Sequence, residues 1–214
     1  MNCAPANERL GPTLAALSLC VALGVAGLHA ATFGFRVVST ESGRRLSVAA
    51  RPVALPAVAL SLPSGAGMPL PTSFATDARP AIVVFFYSRC ESVCSVLGDE
   101  MQRLQAQIFA RGLERRVRLV GISFDPADDA AALAAYAARM GADPRLWRVA
   151  GVSDARARAR LLEACGVTVV AAPFGQFVHN AAFHLVDRNA RLVRILDYDD
   201  PDGALAAALA LEAR

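Results

Sequence analysis

An α/β domain is the fold class this sequence predicts: a mixed central sheet flanked by helices, preceded by an apolar N-terminal helix. Three observations predict it. A span without a single charge lies between Arg9 and Arg36. Strand-like and helix-like segments alternate from Ala81 to Met140, the pattern of parallel strands joined by crossover helices. Near the C-terminus two strand-like runs are separated only by Asp187-Arg188-Asn189-Ala190, too short for anything but an antiparallel pair.

The 214 residues, 55% of them hydrophobic, supply one domain with a sizeable core. Net charge is only +3 and the basic residues are scattered, so nucleic-acid binding has no support. All 22 basic residues are Arg, a bias to which we attach no function.

Residues 1–12 read as a short tail. From Thr13 to Phe35 the chain is mostly Leu, Ala, Val and Gly, long enough to cross a bilayer as a helix. A cleaved signal peptide is the alternative, with Gly24 and Ala26 as small residues at a cleavage site. Apolar residues continue beyond that pair, which favours an uncleaved anchor. The positive-inside rule would keep Arg36, Arg44, Arg45 and Arg51 in the cytoplasm, against the external placement that the site chemistry below requires.

Residues 36–74 are rich in proline and read as a tether with short extended pieces, including a hairpin around Ser64-Gly65-Ala66-Gly67. The domain proper is expected over residues 75–214. Ala81–Tyr87 is an apolar, β-branched run that reads as a central strand buried on both faces. Ser95–Arg111 follows as an amphipathic helix with Leu97, Met101, Leu104 and Ile108 on one face. After strand Arg116–Phe124, Asp125 is expected to cap a second helix, with Pro126 at its first position and Gly141 at its end. A short strand near Trp147–Val149, a helix from Asp154 to Cys165 ended by Gly166, strands Ala182–Val186 and Arg191–Leu196, and a final helix opening at Asp200-Pro201 complete the order. That order is a thioredoxin-like arrangement.

Of the five cysteines, Cys3 and Cys20 belong to the tail and the apolar span, and Cys165 reads as a small buried hydrophobe at a helix end. Cys90 and Cys94 differ. They stand four apart where a central strand turns into a helix, which puts both thiols on one side of the first turn. The helix dipole and the neighbouring Arg89 favour thiolate, while Glu91 opposes it. Two chemistries fit: a disulfide switch and a soft-metal clamp. Two thiolates are too few for structural zinc but suit Cu(I), with imidazole as a compatible third ligand. Two core-facing structural cysteines would give the same string.

Among three histidines, His29 lies in the apolar span and His184 reads as a half-exposed strand position opposite Phe183 and Leu185. His179 is expected in the loop that enters this strand, which in a thioredoxin-like domain approaches the N-terminus of the first helix. Solvated loop histidine and metal ligand both remain open for it.

Four segments resemble the Sco/SenC family, membrane-tethered thioredoxin-like proteins that help assemble the dinuclear copper site of cytochrome c oxidase subunit II. Phe85-Phe86-Tyr87-Ser88-Arg89-Cys90 through Met101 is similar to the block F-x-Y-T-x-C-P-x-x-C-P…E-M. Gly121 to Asp129 is similar to I-S-V-D-P-x-x-D, Trp147 to Gly151 loosely to W-x-x-x-T-G, and His179 to Asp187 to H-S-A-x-x-Y-L-I-D. The resemblance covers about residues 75–200. It implies a copper ion held by Cys90, Cys94 and His179, delivery to cytochrome c oxidase subunit II or a similar recipient, and tethering in a bacterial cytoplasmic membrane with the domain on the extracytoplasmic side. Without metal, Cys90 and Cys94 would be the redox pair of a thiol–disulfide reductase. The family's two motif prolines are Glu91 and Ser95 here and its motif Asp is Ser92, which loosens the loop between the thiols.

Overall fold

The computed structural model of the chain describes residues 10–32, 34–35, 39–90 and 93–212, with side chains throughout these except at 10 and 93–95. It divides into two compact units, 1–46 and 47–214. The first unit carries helix α1 (Leu10–Ala31) and the start of α2 (Thr40–Ala50). Over Gly11–Ala31, α1 is long and apolar enough to cross a membrane. Cys20 and His29 lie on it, the His29 ring edge-on to Phe35 at 5.4 Å.

The second unit begins with β1 (Val53–Ala54), β2 (Ala59–Ser61), β3 (Gly67–Pro69) and α3 (Leu70–Asp77). It continues with β4 (Ala81–Phe86), α4 (Val93–Ala110), β5 (Arg118–Ser123), α5 (Ala130–Arg139), β6 (Trp147–Gly151) and α6 (Ala155–Cys165). The chain closes with β7 (Val169–Ala171), β8 (Phe177–His179), β9 (Ala182–Val186), β10 (Arg191–Asp197) and α7 (Pro201–Glu212). Eight strands form one mixed sheet in the order β1-β10-β9-β4-β5-β6-β2-β3, and β7 and β8 pair by themselves. The register of the parallel centre runs from Ala81↔Arg118 to Phe86↔Ser123 between β4 and β5, and from Leu119↔Trp147 to Ser123↔Gly151 between β5 and β6. β9 is antiparallel to both β4 and β10, so the expected terminal hairpin is present and lies beside the central strand.

Both faces of β4 are buried, as a continuous apolar run requires. On one face Phe86 stacks on Tyr136 of α5 with ring centroids 4.0 Å apart. There α4 lies beside α5, with Gln102 Nε2 donating to the Met140 carbonyl at 3.0 Å, and beside α7, with Gln107 donating to Asp202 at 2.9 Å. The opposite face carries Val83, Phe85, Tyr87 and, by register, Arg118 and His184. Arg118 is buried there, its guanidinium 4.0 Å over the Phe74 ring of α3, with Nη1 donating to the Ser73 carbonyl at 3.3 Å and to Asp77 Oδ2 at 3.4 Å. Burial pushes its pKa down to about 10, with Arg148 and Arg79 adding repulsion against the pull of Asp77, so it stays cationic at neutral pH.

Several expectations need correction. The proline-rich stretch holds two helices, α2 and α3, and its three strands join the main sheet. The second domain helix is capped not by Asp125 but by Asp129, whose side chain accepts the Ala132 N–H, because Asp125 and Asp128 are engaged elsewhere. His184 is not half-exposed: the antiparallel partner β10 and the covering elements bury every residue of β9, and its ring lies edge-on to Phe85 at 5.2 Å. His179 sits at the end of strand β8, not in a loop. The α4 helix starts at Val93, two residues before the expected Ser95, while three other boundaries are as expected: Asp154 accepts the Ala157 N–H, Gly166 ends α6 at φ 62°, and Asp200 accepts the Gly203 N–H before α7.

Candidate functional site

The chain leaves β4 through Tyr87, Ser88, Arg89 and Cys90 before α4 begins. A turn brings the Cys90 N–H 3.3 Å from the Tyr87 carbonyl. Three side chains from the neighbouring strand–helix unit hold this loop. Asp128 accepts from the Ser88 N–H at 2.8 Å and from its hydroxyl, and takes a further hydrogen bond from the Ser123 hydroxyl at the end of β5. Asp125, itself buried, accepts from Arg89 Nη2 at 2.7 Å, and its other oxygen accepts the Ala127 N–H at 2.9 Å. Arg139, at the end of α5, donates to the Ser88 carbonyl at 2.8 Å. Parallel pairing of β4 with β5 makes this possible, because it brings the C-terminal ends of both strands to one edge of the sheet.

The Asp-Pro run read from sequence as a helix cap is thus a clamp on the cysteine loop. The sequence signal for it was available: two carboxylates just after a strand parallel to the cysteine-bearing strand. The positive charge of Arg89, expected to favour thiolate, is shared with the buried Asp125 carboxylate.

Cys90 is half-buried against the core. It lines a shallow depression together with Arg89, Arg139, Ala132, Ala135 and, from the segment before β8, Gln176. The cysteine loop and the β7–β8 hairpin therefore converge on one recess. The Cys94 backbone belongs to the first turn of α4 but its side chain lies outside the described residues, as do Cys3, Glu91 and the side chain of Ser95. Cys165 is buried at the end of α6, as expected of a small hydrophobe.

His179 is brought to the same end of the sheet. β8 pairs with β7 at Val169↔His179, Val170↔Val178 and Ala171↔Phe177, so one hairpin face carries His179 and Phe177. That face packs on Tyr87 and Phe124, the residues that follow the last registered pair of β4 and β5, Phe86↔Ser123. The His179 ring centroid is 5.0 Å from Phe124 and 6.4 Å from Tyr87, and Phe177 is 5.2 Å from Tyr87. Burial among these rings lowers the His179 pKa below its ordinary value against a raising contribution from the Asn180 carbonyl, so the imidazole is neutral at neutral pH. Nδ1 lies 3.4 Å from that carbonyl. Only a protonated Nδ1 can bond to a carbonyl, and this tautomer puts the lone pair on Nε2. A neutral imidazole with a basic Nε2, a few ångströms from aromatic rings at the strand end that leads to Cys90, fits a soft-metal donor. Among the described residues no three His, Cys, Asp or Glu side chains form a metal cage; the second sulfur of the expected trio, on Cys94, lies outside them.

No curated protein is similar enough in sequence to match. Solved structures do match in fold. A SCO1/SenC family lipoprotein from Bacillus anthracis aligns with a TM-score of 0.62 at 19% identity, over 74% of this chain and 98% of its own. BsSco, a member of the Sco family of cytochrome c oxidase assembly proteins in which a disulfide switch was identified, aligns with a TM-score of 0.61 at 20% identity, over 75% and 96%. ScoI of Bradyrhizobium japonicum, solved with copper bound, gives 0.56 at 23%, over 74% and 99%. The thioredoxin-like arrangement read from element order is the fold these proteins share. The SCO1/SenC family model matches residues 69–214, most of the chain and all of the cysteine, aspartate and histidine segments described above, and the chain belongs to that family.

Proposed function

We propose that this chain is a membrane-tethered copper metallochaperone. Cys90, Cys94 and His179 bind copper and release it to a recipient by ligand exchange, the recipient being cytochrome c oxidase subunit II or a similar copper-receiving protein. α1 is the tether, in a bacterial cytoplasmic membrane with the domain on the extracytoplasmic side. The observation that carries this reading is the placement of a neutral imidazole on the hairpin that shares a recess with Cys90. Copper bound to ScoI of Bradyrhizobium japonicum and to yeast Sco1, both of this fold, supports it.

The chemistry follows from the donors. Thiolates and imidazole are soft to intermediate ligands that hold Cu(I) at low coordination number, and a site at a strand end stays open to an incoming ligand. Arg139, Asp125 and Asp128 hold the first cysteine in place from the side of β5. The test is an anaerobic Cu(I) titration of the reduced full-length protein in detergent, against a competing chelator. Cys90→Ser, Cys94→Ser and His179→Ala should each weaken binding by tenfold or more, on the order expected for loss of a ligand. Undiminished affinity in His179→Ala removes the histidine from the site.

A second reading has its own support in the disulfide switch of BsSco. Cys90 and Cys94 would reduce a partner disulfide, forming their own disulfide as two electrons and two protons pass to the partner's sulfurs. That activity would persist in His179→Ala, whereas copper binding would drop sharply.

A further inference from the structure

The two segments of the candidate metal site belong to separately paired sheets. Cys90 follows β4 at the centre of the main sheet, and His179 ends β8 in the two-stranded hairpin. At its base the hairpin is closed on itself by Asn180, which accepts the Thr168 N–H at 2.7 Å and donates to the Gly166 carbonyl at 3.0 Å. Its far end is a tight tip with Phe174 and Gly175 in the left-handed region at φ 60° and 70°. The outward face has no cover among the described residues: Val170, Val178 and Phe174 are exposed, Phe174 to 98%. Sharing no strand pairing with the main sheet, the hairpin is positioned on it chiefly through its inner face.

The tie is Tyr87. Its side chain is buried beneath the hairpin. The hydroxyl donates to Gln176 Oε1 at 2.8 Å, with the Phe177 carbonyl at 3.3 Å, and accepts the Phe177 N–H at 3.4 Å. The same residue's carbonyl accepts the Cys90 N–H. One residue therefore grips the cysteine loop through its backbone and the histidine hairpin through its hydroxyl.

We infer that Tyr87 is a positioning residue whose hydroxyl sets the spacing between His179 and Cys90, and so controls how tightly copper is held without touching the ion. The inference rests on the reading of His179 as a ligand. Tyr87→Phe keeps the ring against Phe124, Phe177 and His179 and removes only the hydroxyl, so the fold is retained while the hairpin is released. A neutral pair of this kind is worth enough to change local opening about tenfold.

The experiment uses the full-length protein in detergent and two readouts, amide hydrogen exchange over residues 169–179 and Cu(I) affinity by chelator competition. Tyr87→Phe is expected to speed hairpin exchange about tenfold with β4 and β5 unchanged, and to weaken Cu(I) binding about tenfold. In a His179→Ala background it should have no further effect on Cu(I). Gln176→Ala, which removes the hydroxyl's partner from the other side, should speed hairpin exchange in the same direction. Unchanged hairpin exchange in both variants overturns the latch. Faster exchange with unchanged Cu(I) affinity, where His179→Ala alone does weaken copper, overturns the positioning role and leaves the chaperone reading standing. If His179→Ala leaves Cu(I) affinity intact, the ligand reading falls and takes the inference with it.

Discussion

Arg89, the residue before Cys90, donates from Nη2 to Oδ2 of the buried Asp125 at 2.7 Å. The pair is lopsided: the guanidinium is half in water while the carboxylate is almost wholly enclosed. Asp125→Ala would leave the Ala127 N–H without its acceptor and the loop without one of its three clamping side chains, at a cost of about 1–3 kcal/mol. Arg89→Ala should also destabilise, though by less, since the enclosed carboxylate keeps the Ala127 N–H while water can enter the space the half-exposed guanidinium leaves. Urea unfolding of the two variants checks this, and equal losses would show that the carboxylate owes its role to the arginine alone.

His179 gives the domain a pH dependence with a defined sign. Its folded-state pKa lies below the ordinary 6.5, so as pH falls through 6.5 the unfolded chain takes up a proton that the folded one refuses. Stability therefore declines from that point until the lower folded pKa is reached, and levels off beneath it. Above neutrality the residue contributes no slope. His179→Asn should flatten the curve between pH 7 and the acid side, read by chemical denaturation at a series of pH values; an unchanged slope would assign the acid sensitivity to other groups.

Asp77 and Arg118 make a second testable pair, far along β5 from the cysteines. Arg118 is enclosed with Phe74 on its face and two further arginines nearby, while Asp77 also binds Arg79 through both oxygens. Asp77→Ala strands the buried cation and should cost about 3 kcal/mol, whereas Arg118→Met should cost nothing or stabilise by up to about 1 kcal/mol. Thermal unfolding distinguishes them. Comparable losses for both substitutions would mean that the ion pair itself stabilises the fold.

Gly121 occupies a central position of β5 where a side chain has little room. A Cβ there would come within 3.2 Å of the Phe86 ring and 3.4 Å of Trp147 Nε1. Gly121→Ala should overpack this layer and lower stability by about 1–2 kcal/mol. Since Phe86 directly precedes Tyr87, the displacement should also register as a chemical-shift change at His179. A stabilised variant would show that the layer has slack.

The centre of the sheet was legible because its residues leave few options. Ala81 to Phe86 has no polar residue to turn toward solvent, so a doubly covered strand is its natural state. Asp154, Gly166 and Asp200 announced helix ends by local chemistry, and local chemistry decided them. Asp125-Pro126 carried the same announcement, yet here the carboxylates meet Arg89 and Ser88, partners 36 and 40 residues away that no local pattern reveals. His184 was assigned to the correct face of its strand, but alternation cannot say whether that face is covered. β7 and β8 are three residues each, too short for a period to show, which hid the strand that carries His179. The proximity of His179 to the cysteine strand was nevertheless anticipated from fold order, since the segment entering β9 must pass the C-terminal end of β4.

β1 and β2–β3 are brief, and their placement has a consequence for anyone cutting the gene. β1 flanks β10 on one side of the sheet, and β2 with β3 flanks β6 on the other. A fragment starting at residue 75 would shed both guards and leave two rows of unpaired backbone amides and carbonyls, a template for sideways association between molecules. Expression boundaries drawn before Ser47 keep those guards, and the resulting material should stay monodisperse where the shorter fragment clumps.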